Sequence, residues 1–146
     1  MAEFFYIDQV ATRTGLTART LRFWEEKGLL APPARTDGGL RLYSEADVAR
    51  IERVRDLKEV LGLSLDVARE LLVAEDEMAA LREQAHQLPF GADRLPYIGR
   101  AIAILEAQIQ QIAHREARLA ELRQGYEQWL GRLKDRAIEL EGIDKK

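Results

Sequence analysis

Four of the five arginines in the first 43 residues, Arg19, Arg22, Arg35 and Arg41, are the side chains best suited to chemistry, and that chemistry is recognition rather than bond-making. A guanidinium is permanently charged, and its planar fork can hold two phosphate oxygens or the O6 and N7 edge of a guanine. Thr17 and Thr20 set hydroxyls beside the first pair, and Tyr43 follows the second pair with a ring to pack and a hydroxyl to spare for a phosphate. A competing catalytic inventory is missing. The chain has no cysteine, so thiolate metal sensing and disulfide redox sensing are excluded. His86 and His114 stand apart, without a nearby Cys, His or carboxylate constellation, so no metal site, cofactor or enzymatic activity is expected. Gly38 and Gly39 lie in a turn and do not open a helix after a buried strand, as a phosphate-cradling loop would require.

Those arginines need elements to hold them. The stretch ATRTGLTARTLRFWEEK, residues 11–27, spells a helix–turn–helix. Ala11 is small where two helices must approach, Gly15 permits a left-handed turn, and Thr17 supplies a cap for the second helix. Leu21 and Trp24 give that second helix an inward apolar face, leaving Arg19, Arg22 and Thr20 on the other side. A short polar helix held this way fits a DNA major groove. Arg19 and Thr20 are then the candidates for base edges, and Arg22 for a base or a phosphate. Pro32 and Pro33 end any helix, and Asp37-Gly38-Gly39 marks a tight turn between segments 34–36 and 40–43. The resulting hairpin is a wing, with Arg35 and Arg41 flanking its tip to reach phosphates. Ser44 with Asp47 reads as a capping box for the next helix.

The run YIDQVATRTGLTARTLRFWEEKGLL, the wing GGLRLYSEADVARI and the pair RVRDLKEVLGLSLDVARELL together resemble the DNA-binding domain of the MerR family of bacterial transcriptional regulators, from Phe5 to Leu72. The resemblance implies a symmetric dimer on a pseudo-palindromic operator inside a promoter. It also implies regulation by distorting the DNA so that RNA polymerase can engage both promoter elements. A DNA contact from Lys58 is implied in the same way. Two departures stand out. Phe23-Trp24 occupies the place where many members carry two tyrosines or Phe-Tyr, and LKEVLGLSL is one residue longer before its turn than the commonest pattern.

Charge agrees without deciding. The net charge is −3, with six Lys or Arg against five Asp or Glu through Tyr43, and 12 against 16 from residue 59 onward. DNA affinity must therefore come from arginines placed together. No apolar run approaches the roughly 20 residues that span a bilayer, and no signal-peptide pattern opens the chain, so a cytoplasmic location without membrane partners is expected.

Downstream, Val48, Ile51, Val54, Leu57 and Leu61 keep helical spacing, and Ser64 caps a helix whose stripe is Val67, Ala68, Leu71 and Leu72. PFGADRLPYIG, residues 89–99, reads as a break, with Asp93 as a cap for the helix after it. Ile98, Ile102, Leu105, Ile109 and Ile112 then alternate steps of four and three, a heptad stripe. Its phase slips near Arg115, and Leu119, Leu122, Tyr126, Trp129 and Leu133 carry it on. A second copy is the simplest cover for such a face, which makes Ile98 through Leu122 the expected homodimer interface. Phe90, Tyr97, Tyr126 and Trp129 are candidates for a small-molecule effector pocket.

The expected fold is mostly α: a winged helix-turn-helix DNA-binding domain followed by a long dimerising coiled-coil helix. Its divisions are a DNA-binding domain at 1–74, a helical linker and break at 75–93, the coiled coil at 94–136 and a tail at 137–146. The expected function is sequence-specific transcriptional regulation by a dimer, with an effector that needs no thiol. An effector-independent repressor or an architectural DNA-binding dimer is the alternative, and a helical module that docks on another protein is a third.

Overall fold

Val10, Leu21 and Trp24 set the first helix pair face to face, and each is at most 3% exposed. The computed structural model describes residues 2–146. Helix α1 (Ile7–Thr14) opens with the Gln9 side chain accepting from the Tyr6 N–H at 2.8 Å. It ends at Gly15, whose φ of 73° is costly for a residue with a Cβ. Helix α2 (Ala18–Glu26) begins at Thr17, whose side chain accepts from the Thr20 N–H at 3.1 Å.

Three short antiparallel strands follow the order β1-β3-β2: β1 (Phe4–Phe5), β2 (Ala34–Arg35) and β3 (Arg41–Ser44). Strands β2 and β3 are the expected wing, with Ala34 opposite Leu42 and Arg35 opposite Arg41. Thr36 closes its tip: its carbonyl accepts from Gly39 N–H and its hydroxyl from Leu40 N–H. Strand β1 was not anticipated. It pairs Phe4 with Ser44 and Phe5 with Tyr43, and so anchors the base of the wing.

Helix α3 (Glu45–Arg55) starts on the expected box, Ser44 Oγ accepting from Asp47 N–H and Asp47 Oδ2 from Ser44 N–H. It runs into a π-helical turn at Asp56–Val60, where Leu61 N–H reaches back five residues to Asp56 O at 3.0 Å. A π turn holds one more residue than an α turn. The extra residue seen in LKEVLGLSL is thus absorbed before Gly62, whose φ is 63°. Helix α4 (Leu65–His86) follows, and Ala68 and Leu72 close the core against Val48, Ile51, Val54 and Leu57.

The chain divides into two units, residues 1–83 and 84–146. The sequence expectation of a boundary at 74 falls inside α4, whose stretch 75–86 is a plain continuation of the helix. In the second unit, a 3-10 turn at Ala92–Arg94 leads into α5 (Leu95–Asp144), a single helix of 50 residues. Asp93 does not cap it. Arg94 sits at that position and donates to the carbonyls of Leu88 and Pro89, stitching the break. Helix α5 also continues into the expected tail at 137–146, as far as Asp144, because Ala137, Leu140 and Glu141 are good helix formers and no proline intervenes. None of its residues is buried, and Ile98, Ile102, Leu105, Ile109, Ile112, Leu119 and Leu122 are all 45–66% exposed. No helix among the described residues is long and apolar enough to cross a membrane.

Candidate nucleic-acid interface

Helix α2 and the wing carry the four arginines, and the structure treats them differently. Arg19 and Arg22 are exposed on α2 and have no hydrogen bond or ion pair among the described residues. Trp24 and Leu21 anchor the opposite side of the helix, at 3% and 0% exposure, which fixes the direction the arginines face. The Thr17 and Thr20 hydroxyls hydrogen-bond each other at 2.9 Å, so both stay near the start of the helix. Lys27 lies over the Phe23 ring at 5.6 Å, a cation–π contact on the exposed side of α2.

On the wing, Arg35 is exposed, and its Nη1 donates to Gly39 O at 2.8 Å, which holds the guanidinium against the turn. Arg41 is partly buried, and its Nε donates to Glu25 Oε2 on α2 at 2.8 Å. Sequence reasoning missed Glu25. Its signal was an acidic side chain in the last turn of a helix, where the macrodipole disfavours negative charge and a cationic partner is called for.

Tyr43 corrects an expectation. Its side chain is 3% exposed, and its hydroxyl is enclosed with no partner among the described residues, so it is not presented to a phosphate. The cause is strand periodicity: Arg41 and Tyr43 share one face of β3, and that face looks onto the core. Burial first, and then the Glu25 carboxylate, push the hydroxyl above its ordinary pKa. Lys58 is likewise drawn inward, its Nζ donating to Leu63 O at 3.1 Å across the π turn.

The four aromatic residues expected to line one pocket are not brought together in the single chain. Phe90 is 95% exposed, with Arg94 over its ring at 5.7 Å. Tyr97 lies near the start of α5, while Tyr126 and Trp129 sit about 44 and about 48 Å further along its axis. A pocket of about 650 Å³ lies elsewhere, lined by residues 28–32, Tyr43, Asp47, Arg50, Ile51 and Asp76. No group of acidic, histidine or cysteine side chains among the described residues is placed to hold a metal ion.

The model of the MerR HTH family regulatory protein matches residues 5–75. The mercuric resistance operon regulatory protein of Pseudomonas fluorescens is 37% identical over 100 residues, covering 65% of this chain and 67% of that protein. The chain belongs to the MerR family. The HTH-type transcriptional regulator YfmP of Bacillus subtilis is 49% identical to this MerR-family chain over 81 residues, 56% of this chain and 58% of YfmP. CueR of Yersinia pestis is 46% identical over 66 residues, 45% of this chain and 47% of CueR, so the chain spans about half the length of these curated relatives. Among solved structures, the N-terminus of MtaN, the Bacillus subtilis multidrug transporter activator, aligns with a TM-score of 0.48 at 29% identity, over 86% of this chain and 97% of that one.

Proposed function

We propose that this MerR-family chain is a sequence-specific DNA-binding transcriptional regulator of the cytoplasm, working as a homodimer on a pseudo-palindromic operator within a promoter. The observation that carries the reading is the pairing of Arg19 and Arg22, exposed and unpaired on the capped helix α2, with a wing that holds Arg35 and Arg41 directly opposite each other. Arg19 and Thr20 read base edges, Arg22 reaches a base or a phosphate, and Arg35 and Arg41 hold phosphates. Lys58 contributes only by leaving Leu63 O. The exposed stripe of α5 from Ile98 to Leu122 pairs with a second copy, and the dimer acts on RNA polymerase by distorting the promoter.

The test is selection of random-sequence and genomic duplexes on the purified protein at moderate salt. An inverted repeat between two promoter elements with a long spacer is the expected product. Fragments without dyad symmetry would point to an architectural role, and no enrichment would overturn DNA binding as the function.

A further inference from the structure

Glu25 and Arg41 make the one described ion pair between helix α2 and the wing, at 2.8 Å, with side chains only 15% and 25% exposed. Their place is unusual for a pair of solvent charges. It joins the base-reading helix to the strand meant for phosphate. Arg41 also faces Arg35 directly across the hairpin, and two like charges so placed repel unless each finds its own acceptor. Gly39 O serves Arg35, and Glu25 serves Arg41.

The geometry of the Arg41 contact matters more than its charge. Only Nε is engaged, by one carboxylate oxygen. The two Nη groups, which form the fork that grips a phosphate, have no acceptor among the described residues. A guanidinium held by its Nε edge is fixed in rotation about its long stem, with the Nη groups left to bind. Tyr43, two residues on along the same face of β3 and packed into the core, keeps the strand from rolling away from α2.

We propose that Glu25 is a positioning residue for DNA binding: it holds Arg41 by Nε so that the Nη fork meets a phosphate in a fixed register with the base contacts of α2. The proposal rests on the DNA-binding reading above. Glu25 touches no DNA itself, and it makes the wing and the reading helix a single rigid grip in place of two hinged ones. The entropy of ordering a long side chain is then met before the DNA arrives.

The experiment measures affinity against salt for native protein, Glu25→Ala, Glu25→Gln, Arg41→Ala and the Glu25→Ala/Arg41→Ala double variant. The probes are a duplex recovered from the selection and the same duplex with both half-sites scrambled. Glu25→Ala is expected to weaken the selected duplex about tenfold and to lower the salt slope by about one, as Arg41→Ala does. The double variant is expected to bind no worse than Arg41→Ala, because Glu25 acts only through Arg41. Glu25→Gln keeps an acceptor for Nε and is expected to stay within about threefold of native.

A tighter complex with a steeper slope in Glu25→Ala would overturn the proposal, making Glu25 a competitor of phosphate. Additive losses in the double variant, or an unchanged affinity in Glu25→Ala, would overturn it too. Circular dichroism reports whether Glu25→Ala folds. If it does not, Glu25→Gln decides alone: affinity near native with an unchanged slope supports the proposal, and a steeper slope overturns it. Failure of native protein to retain any duplex is a separate result, because it removes the DNA-binding reading before any variant is compared.

Discussion

Arg13 and Glu45 close a two-pronged ion pair, Nη1 to Oε1 at 2.8 Å and Nη2 to Oε2 at 2.9 Å, and so tie α1 to the first residue of α3. Arg13 also stacks over the Phe5 ring at 5.3 Å, bringing β1 into the same joint. The hydrogen bond to Arg13 holds the Glu45 carboxyl below its ordinary value. A carboxyl whose folded pKa is depressed contributes stability above its unfolded value, about 4.3 for glutamate. That contribution fades as pH falls through the folded value. Both side chains are well exposed, so salt screens the effect and it is small. An NMR titration of the Glu45 side-chain carbon is expected to show a midpoint below that of a free glutamate, returning to the ordinary range in Arg13→Ala. An ordinary midpoint in native protein would show that the pair does not persist in solution.

Base reading and phosphate holding separate in mutants of α2. Arg19→Ala is expected to relax preference at one position of each half-site, costing about 1–3 kcal/mol for the preferred base. Binding to a scrambled duplex should change little by comparison. Selection of random duplexes on the variant checks it, and an unchanged preference profile would remove Arg19 from the base-reading role. Trp24→Ala differs in kind, because it empties a core site that is 3% exposed and is expected to cost about 3–5 kcal/mol of stability, read as a lower Tm.

The π turn offers a test by shortening. Val60 is 74% exposed and sits where five residues do the work of four. Deleting Val60 is expected to leave an α turn, to keep Leu57 in the core, and to hold stability within about 1 kcal/mol of native. Thermal unfolding measures it. A fall of several kcal/mol would mean that the wider turn is needed to aim Leu63 and α4.

Legibility in the sequence followed distance along the chain. The turn at Gly15, the cap at Thr17, the box of Ser44 with Asp47 and the turn after Thr36 each involve residues within four of one another, and each was readable. Strand β1 was not, because Phe4 and Phe5 become a strand only by pairing with Ser44 and Tyr43 some 40 positions away. Arg41 reads as a free phosphate ligand because Glu25, at the end of α2, signals its need for a cation but not which one, and the partner lies 16 residues on in another element. Tyr43 was legible in part: its ring packs into the core as expected, and the alternation that puts it on the inner face of β3 encloses the hydroxyl as well. The end of α5 was misjudged for the opposite reason. The heptad stripe fades after Leu133, yet Ile138, Leu140 and Ile143 keep the helix apolar to its last turn at Asp144.

That long exposed stripe gives the last prediction. Leu105 and Leu122 belong to the two registers on either side of the slip near Arg115, and each is about half exposed in the single chain, at 48% and 52%. In a paired helix both would be covered by a second copy, and a carboxylate there would be desolvated without a partner, at a cost of several kcal/mol. Leu105→Asp is therefore expected to convert a species of about 33 kDa, twice the 16.6 kDa chain, into monomer in sedimentation equilibrium. The DNA-binding unit should keep its near-ultraviolet signal from the buried Trp24, since that core lies within residues 1–83. Leu122→Asp measures how far the interface extends. Dissociation equal to that of Leu105→Asp would place both registers in one continuous interface, and a dimer left intact would confine pairing to the first register. A native protein that sediments as monomer at tens of micromolar would remove the dimer altogether, and with it the expectation of an inverted-repeat operator.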